Sequence, residues 1–422
     1  MRRGLASPGG LPPRRPPCSR RSPTTPACSA APRSTSRLEA LDQLATVSRL
    51  PRCVRAVGLP DLHPGPGIPI GAAFALDGEV RPLLVGGDAG CGVRLFAAPR
   101  VKASGDALER RVREATDGPA LPDVDPGLAL RAAWSQGPRG LATLPGVPES
   151  LAELAAACPA EPALALPEPP DDPELGLALG SVGGGNHFVE LSEVTAISDR
   201  AAAEALGLRR GGAVVLAHSG SRGLGRALIG RWGDVVLSAE TAEQYLLELE
   251  GAVRFARANR LVLAWRLLSA AGIARPGRWT HTFDLVHNDV TRRVLDGREV
   301  FLHRKGAAPA ERDQPTVVLG TRGTVSAVMM GAGDEQSLCC VAHGAGRRLK
   351  RSDAIARFKD RHRRAELTRT ALGGRVICDD PELLYAEHPD AYKDVDPVID
   401  ALEAAGAARR VATLSPVITV KR

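Results

Sequence analysis

Aromatic residues make up only 3% of the 422-residue chain, as 7 Phe, 3 Tyr and 4 Trp. A core has to be built mainly from Leu, Val and Ala instead, and few rings are available for stacking bases, so any nucleic-acid recognition rests on phosphates and chain ends. No CxxC pair occurs among the eight cysteines at 18, 28, 53, 91, 158, 339, 340 and 378. No secretory apolar core opens the chain either, and together these point to a reduced, cytoplasmic setting. No apolar run reaches the ~20 residues that span a bilayer, so no membrane partner is expected. A Walker-type phosphate loop finds little support, because no GxxxxGK[ST] occurs. Acidic residues and lysine are missing from residues 1–37, whose eight Arg supply +8 of a net +7, leaving the rest of the chain near −1. A polyanion site must then be a local patch, because the body has no overall basic field.

Eight Pro in the first 37 residues oppose the amphipathic helix of a transit peptide, so residues 1–37 are expected to be a disordered tail and 38–422 the folded domain. Leu38 to Leu50 has helical periodicity ending at Pro51. Gly58 to Gly71 is rich in Gly and Pro and reads as turns rather than continuous helix or sheet. The apolar run Pro82 to Val85 predicts a buried strand delivering the loop Gly86-Gly87-Asp88-Ala89-Gly90-Cys91-Gly92. Residues 118–176 mix Pro, Ala and acid and predict a loop-rich insertion with one short helix near Ser150 to Ala157. Ala213 to Ala217 predicts a buried strand, Gly220 to Gly225 shows no strand-turn-helix dinucleotide pattern, and helical patterning covers Thr241 to Ala271.

Several of the nine histidines fall in loops near glycines, among them His63, His187, His218, His287 and His343. Asp88, Cys91, His187, His218 and His287 together offer one carboxylate, one thiolate and three imidazoles, which is ligand chemistry for one or two divalent metals. Their dispersal excludes a structural zinc finger and requires a site assembled by the tertiary fold. The plainer alternative makes Cys91 a small buried residue and the histidines hydrogen-bonded core groups. Ser181 to His187 and His343 to Arg347 carry glycines that either open backbone N–H groups to an anion or simply make tight turns. Arg347 to Arg364 holds nine Lys or Arg against two acidic residues, a solvated helix face or a nucleic-acid track.

Taken in order, PDLHPGPGIPIG from Pro60, GGDAGCGVRL from Gly86, GSVGGGNHFVEL from Gly180, AHSGSRGLG from Ala217, HND from His287, HRKGA from His303, AHGAGR from Ala342 and AYKDVD from Ala391 resemble the RtcB family of 3′-phosphate RNA splicing ligases. The resemblance implies a mixed α/β fold, a single large domain with sheets around a deep cleft that binds metal and GTP. It implies that Cys91 bridges two Mn²⁺ ions, one completed by His218 and His287 and the other by Asp88 and His187, and that His343 is the nucleophile that becomes guanylated. Guanosine contacts would come from Asn186, Phe188, Glu190, Asn288, Gly320, Thr321, Ser326, Gly344, Ala345, Gly346 and Lys421. Glu190 is suited to accept from guanine N1 and N2, favouring GTP over ATP. Arg222, Arg304 and Lys305 would hold the RNA.

The implied reaction joins an RNA 3′-phosphate, or a 2′,3′-cyclic phosphate after hydrolysis, to a 5′-hydroxyl, in RNA repair or splicing, with an activating protein partner as a further expectation. The chain departs from the family's PGSMG-like loop at Leu319-Gly320-Thr321-Arg322-Gly323, which marks it as a divergent paralogue. Rival readings are an end-capping guanylyltransferase that does not seal, a metal-dependent phosphoesterase and a non-catalytic RNA-binding module.

Overall fold

Alternation of side chains along the strands divides the interior into two cores. In the strand Gly92–Ala98, Val93, Leu95 and Ala97 join one buried cluster and Phe96 the other. In Ala213–Ser219, Val214 and Leu216 face one way and Val215 and Ala217 the opposite way. A period of two with both faces apolar requires a sheet covered on both sides, and that is what the computed structural model shows. It describes residues 35–101 and 105–422; the expected tail lies outside the described residues except for positions 35–37, which open the helix Thr35–Ser48.

The covered sheet runs in the order Pro315–Val318, Ser326–Gly331, Ala408–Lys421, Phe188–Ile197, Ala213–Ser219, Gly92–Ala98, Thr280–Val286, with Arg375–Cys378 added in parallel to Ala408–Lys421. Every pair along the main path is antiparallel. One face carries the 28-residue helix Glu243–Ala270, close to the predicted span. Against the other packs a four-stranded antiparallel sheet, Cys53–His63, Ile70–Asp77, Arg298–Lys305 and Asn288–Leu295. The class is mixed α/β, and no helix among the described residues is long and apolar enough to cross a membrane.

Local chemistry explains where the expectations miss. Residues 58–71 are not all turn: Cys53–His63 is a strand that runs through Pro60, tolerated because it is an edge strand whose register shifts between Gly58 and His63. Pro82–Leu84 is a 3₁₀ turn rather than a strand, with Pro at its start and Leu84 and Val85 buried. Ala213–Ser219 does lead through a turn into the helix Gly223–Trp232, yet its neighbours are antiparallel, so no dinucleotide-binding βαβ unit forms.

The segment 118–176 is more ordered than its composition suggests. Besides Glu149–Ala156 it holds the helices Pro126–Gln136 and Pro173–Leu177 and the 3₁₀ segment Gly137–Thr143. Asp125 caps Pro126–Gln136 by accepting from the Leu128 amide at 2.7 Å, with Pro126 at the first helical position. Trp134 then packs on the long helix where Gly251 leaves room; a Cβ there would lie 2.1 Å from the indole.

Under the main sheet lies a buried ion triad. Asp284 accepts from Arg94 at 2.8 Å and from Arg260 at 2.6 Å, with all three side chains at most 7% exposed. Burial works to raise the Asp284 carboxyl, but the two guanidinium groups hold it below the usual carboxylate range. Its contribution is therefore full above the ordinary value of about 4 and is lost as pH falls through the lower folded value. Asp284→Ala leaves two buried cations unpaired and should cost about 3–5 kcal/mol, read as a lower denaturant midpoint at pH 7; an unchanged midpoint would show that the triad is not stabilising.

Candidate metal centre and nucleotide pocket

Antiparallel order brings four dispersed residues to one sheet edge. His187 immediately precedes the strand Phe188–Ile197, His218 is the last but one residue of Ala213–Ser219, Cys91 precedes Gly92–Ala98, and His287 follows Thr280–Val286. These four strands are consecutive neighbours, with Phe188 paired to His218 and Gly92 paired to both Ser219 and Val286. At a strand spacing of ~4.8 Å, their ends fall within reach of a shared ion. Close approach depends on Gly92, where a Cβ would sit 2.0 Å from the Leu285 carbonyl.

Cys91 Sγ lies 3.3 Å from His187 Nε2 and 3.4 Å from His218 Nε2, and His187 Nε2 lies 3.2 Å from Asp88 Oδ2. Two triads result, Cys91–His218–His287 and Asp88–Cys91–His187, each with its ligand atoms within 4.8 Å of one another and both sharing the thiol. The partition matches the one implied by the resemblance. Burial holds the His218 and His287 imidazoles well below the ordinary histidine range, hence neutral. Burial and then Asp88 push the Cys91 thiol well above its usual range, an ordering that a bound divalent cation reverses. Buried Nδ1 atoms of His218 and His287 have no hydrogen-bond partner. What favours an ion over a hydrogen-bonded core network is the convergence of one carboxylate, one thiol and three imidazoles within ligand reach of one another, a donor set that suits one or two borderline divalent ions.

His343 sits one ring away, its centroid 4.8 Å from that of His287. Its Nδ1 lies 2.7 Å from Asp61 Oδ2, and Asp61 is fully buried. Two glycines shape this contact: a Cβ on Gly306 would meet His343 Cε1 at 2.8 Å, and one on Gly346 would meet the Asp61 carbonyl at 2.1 Å. The cavity in front of His343 is lined by His63, Asn186, Phe188, His218, Gly320, Thr321, Arg322, Gly344, Ala345, Gly346, Tyr392 and Lys421. Burial lowers His63 to about 4, so it is neutral there.

The other expected nucleotide contacts divide. Glu190 is buried beneath the cavity wall and accepts from Ser192 at 2.7 Å and Thr419 at 2.6 Å; burial raises it to about 7 despite those donors. Buried Lys421 donates to the His187 carbonyl at 3.1 Å, and burial lowers its pKa. Ser326 accepts from the Gly320 amide at 3.0 Å and so shapes the loop of Thr321. Asn288 uses both amide ends on backbone, donating to the Asp88 carbonyl at 3.0 Å and accepting from Gly306 at 2.6 Å. It braces the two loops beneath the site.

Of the three expected RNA contacts, Arg222 is best placed. It takes a left-handed φ of 58°, donates to Ser181 Oγ at 3.2 Å, and reaches within 3.4 Å of His187 Nδ1 beside a groove that Gly183 and Gly184 also line. Lys305 donates to the Val85 carbonyl at 2.9 Å, and burial lowers it to about 8. Arg304 is a correction. It is 3% exposed and donates to Asp289 at 2.7 Å and to Thr291 at 3.0 Å, so its charge is committed inside the fold and cannot hold a strand.

Sequence reasoning missed Asp61, although it stands in the quoted PDLHPG stretch, and gave no role to the cavity walls Glu387 and Tyr392. Cys91→Ser should weaken divalent-ion binding by more than the ~10–100-fold that loss of an outer partner costs, measured by equilibrium dialysis with Mn²⁺; wild-type affinity and stoichiometry would return Cys91 to a packing role.

Comparison with known proteins agrees with this geometry. A profile described as tRNA-splicing ligase RtcB matches residues 43–118 and 173–422, passing over most of the inserted segment. The chain is 34% identical over 390 residues to RNA-splicing ligase RtcB2 of Escherichia coli, covering 90% of this chain and 92% of that one. It is 34% identical over 447 residues to RNA-splicing ligase RtcB of Mycobacterium tuberculosis, covering 90% and 100%, and 30% identical over 450 residues to tRNA-splicing ligase RtcB of Thermococcus kodakarensis, covering 90% of each. The chain belongs to the tRNA-splicing ligase RtcB family.

Proposed function

We propose that this chain is a GTP- and Mn²⁺-dependent RNA ligase that joins a 3′-phosphate end to a 5′-hydroxyl through guanylated His343. One observation carries the reading: a histidine with one nitrogen against a buried carboxylate stands one ring away from a five-donor metal centre, facing a cavity lined by glycine loops. The buried Asp61 carboxylate, 2.7 Å from Nδ1 but not aligned with it as a hydrogen bond, would draw a proton to Nδ1 by charge and leave the Nε2 lone pair free. Nε2 attacks the α-phosphorus of GTP, the phosphorus–nitrogen bond forms and pyrophosphate leaves. The guanylate then passes to the RNA 3′-phosphate, breaking that bond, and the 5′-hydroxyl attacks the activated 3′-phosphorus with release of GMP. Asp88, Cys91, His187, His218 and His287 would hold the Mn²⁺ ions, which when bound supply charge neutralisation on the phosphates. Glycines 344 and 346 keep the loop close to Leu319 and Asp61, and Glu190 with Lys421 accounts for preference for guanine. Arg222 is the proposed contact to RNA phosphate.

A phosphoesterase would use the metal donors but leave the His343–Asp61 pair and its cavity without purpose. An end-capping guanylyltransferase shares every step but the last. His343→Ala should abolish covalent labelling by α-labelled GTP in the presence of Mn²⁺, whereas Arg222→Ala should label normally and bind RNA with a log–log salt slope flattened by about one unit. Full labelling of the His343 variant would sink the nucleophile assignment, and an unchanged slope would leave Arg222 bracing its own loop.

A further inference from the structure

The loop Leu319 to Gly323, which lies between the strands Pro315–Val318 and Ser326–Gly331, carries an arginine. Arg322 is 6% exposed and lines the same cavity as His343. Its Nη2 donates to the Leu384 carbonyl at 2.9 Å, at the helix Pro381–Ala386. Its Nη1 is buried without a hydrogen-bond partner. The nearest carboxylate, Glu387, is already engaged by Arg347 at 2.9 Å, by the Tyr392 hydroxyl and by Lys421 at 3.7 Å. Burial lowers Arg322 to about 10, which leaves it charged at neutral pH. A charged donor left unmet in a dry wall is unfavourable, so an acceptor on the ligand is the natural partner.

The chemistry of that acceptor follows from position. His343 and His218 line the cavity beside the metal donors, while Arg322 lines it together with Glu387, Tyr392 and Lys421, with which it interacts electrostatically. A nucleotide with its α-phosphorus at His343 turns its base toward this second end. Two cationic donors, Arg322 and Lys421, then face the base. Guanine offers two acceptors on one edge, O6 and N7, whereas adenine offers N7 beside an amino donor that would oppose them. We infer that Arg322 reads the O6/N7 edge of guanine in this chain. The inference rests on the guanylate reading.

The test is equilibrium binding and covalent labelling with GTP, with 7-deaza-GTP, in which C–H replaces N7, and with 6-thio-GTP, in which the weaker acceptor sulfur replaces O6 while N1–H and the 2-amino group remain. The native chain should bind at least one analogue roughly 10-fold or more weaker than GTP. Arg322→Met should bind GTP about as weakly as the native chain binds that analogue and should no longer separate the two. A native chain indifferent to both changes would overturn the inference with no variant needed, as would a penalty that persists undiminished in Arg322→Met. If that variant does not fold, Arg322→Gln, which keeps a donor, should retain part of the discrimination, and unaltered discrimination would count against the assignment. Failure of the guanylate reading looks different: no nucleotide labels His343, while the binding ratios still report on Arg322.

Discussion

One buried guanidinium holds the metal-side edge of the sheet together. Arg260, on the long helix and fully buried, donates to the carbonyls of Gly90 at 2.8 Å and Ser219 at 2.9 Å while paired to Asp284. Those carbonyls adjoin Cys91 and His218, and Asp284 lies three residues before His287, so one side chain ties down three strand ends. Its neighbour Asn259 reaches the remaining loop, accepting from Gly180 at 2.7 Å and donating to Ser219 Oγ at 3.0 Å. Desolvating Arg260 is costly, and the cost is offset because Asp284 and two carbonyls meet its donors at once. The long helix is thus the device that sets donor spacing, as well as a cover for the apolar face.

The nucleotide side is built by different means. Around His343 the contacts are backbone approaches that only glycine permits, at 306 and 346, and the polar groups that remain are buried carboxylates and cations in pairs. Tyr392 and Arg347 close the wall, the guanidinium 4.9 Å from the ring centroid. Membership of the RtcB family makes a ligase scaffold the frame for this arrangement.

Much of this was legible in the residues. The long helix and the strand running up to His218 stand out because periodicity is a local signal, and the residue types of the candidate donor set could be named although their convergence could not. Strand order is not local: nothing between Asp88 and His287 announces that four candidate ligands stand at the ends of neighbouring antiparallel strands. Arg304 was misread although alternation was available, since Val300, Leu302 and Arg304 share one face of Arg298–Lys305 and the first two are core residues. Charge pattern alone extends the basic helix from Arg347 to Arg364, whereas only Arg351–Lys359 is an α-helix and Arg347 is spent on Glu387. In the insertion, abundant Pro masked the Asp125-Pro126 start signal, which local capping rules could have found.

The most direct test isolates the guanylated chain free of GTP and mixes it with one RNA strand ending in 3′-phosphate and another beginning with 5′-hydroxyl, in the presence of Mn²⁺. The account predicts a single round in which protein-bound GMP is released in step with a new phosphodiester. Guanylate that moves to the 3′-phosphate and stays there, with both ends present and no joined strand, would contradict the ligase reading.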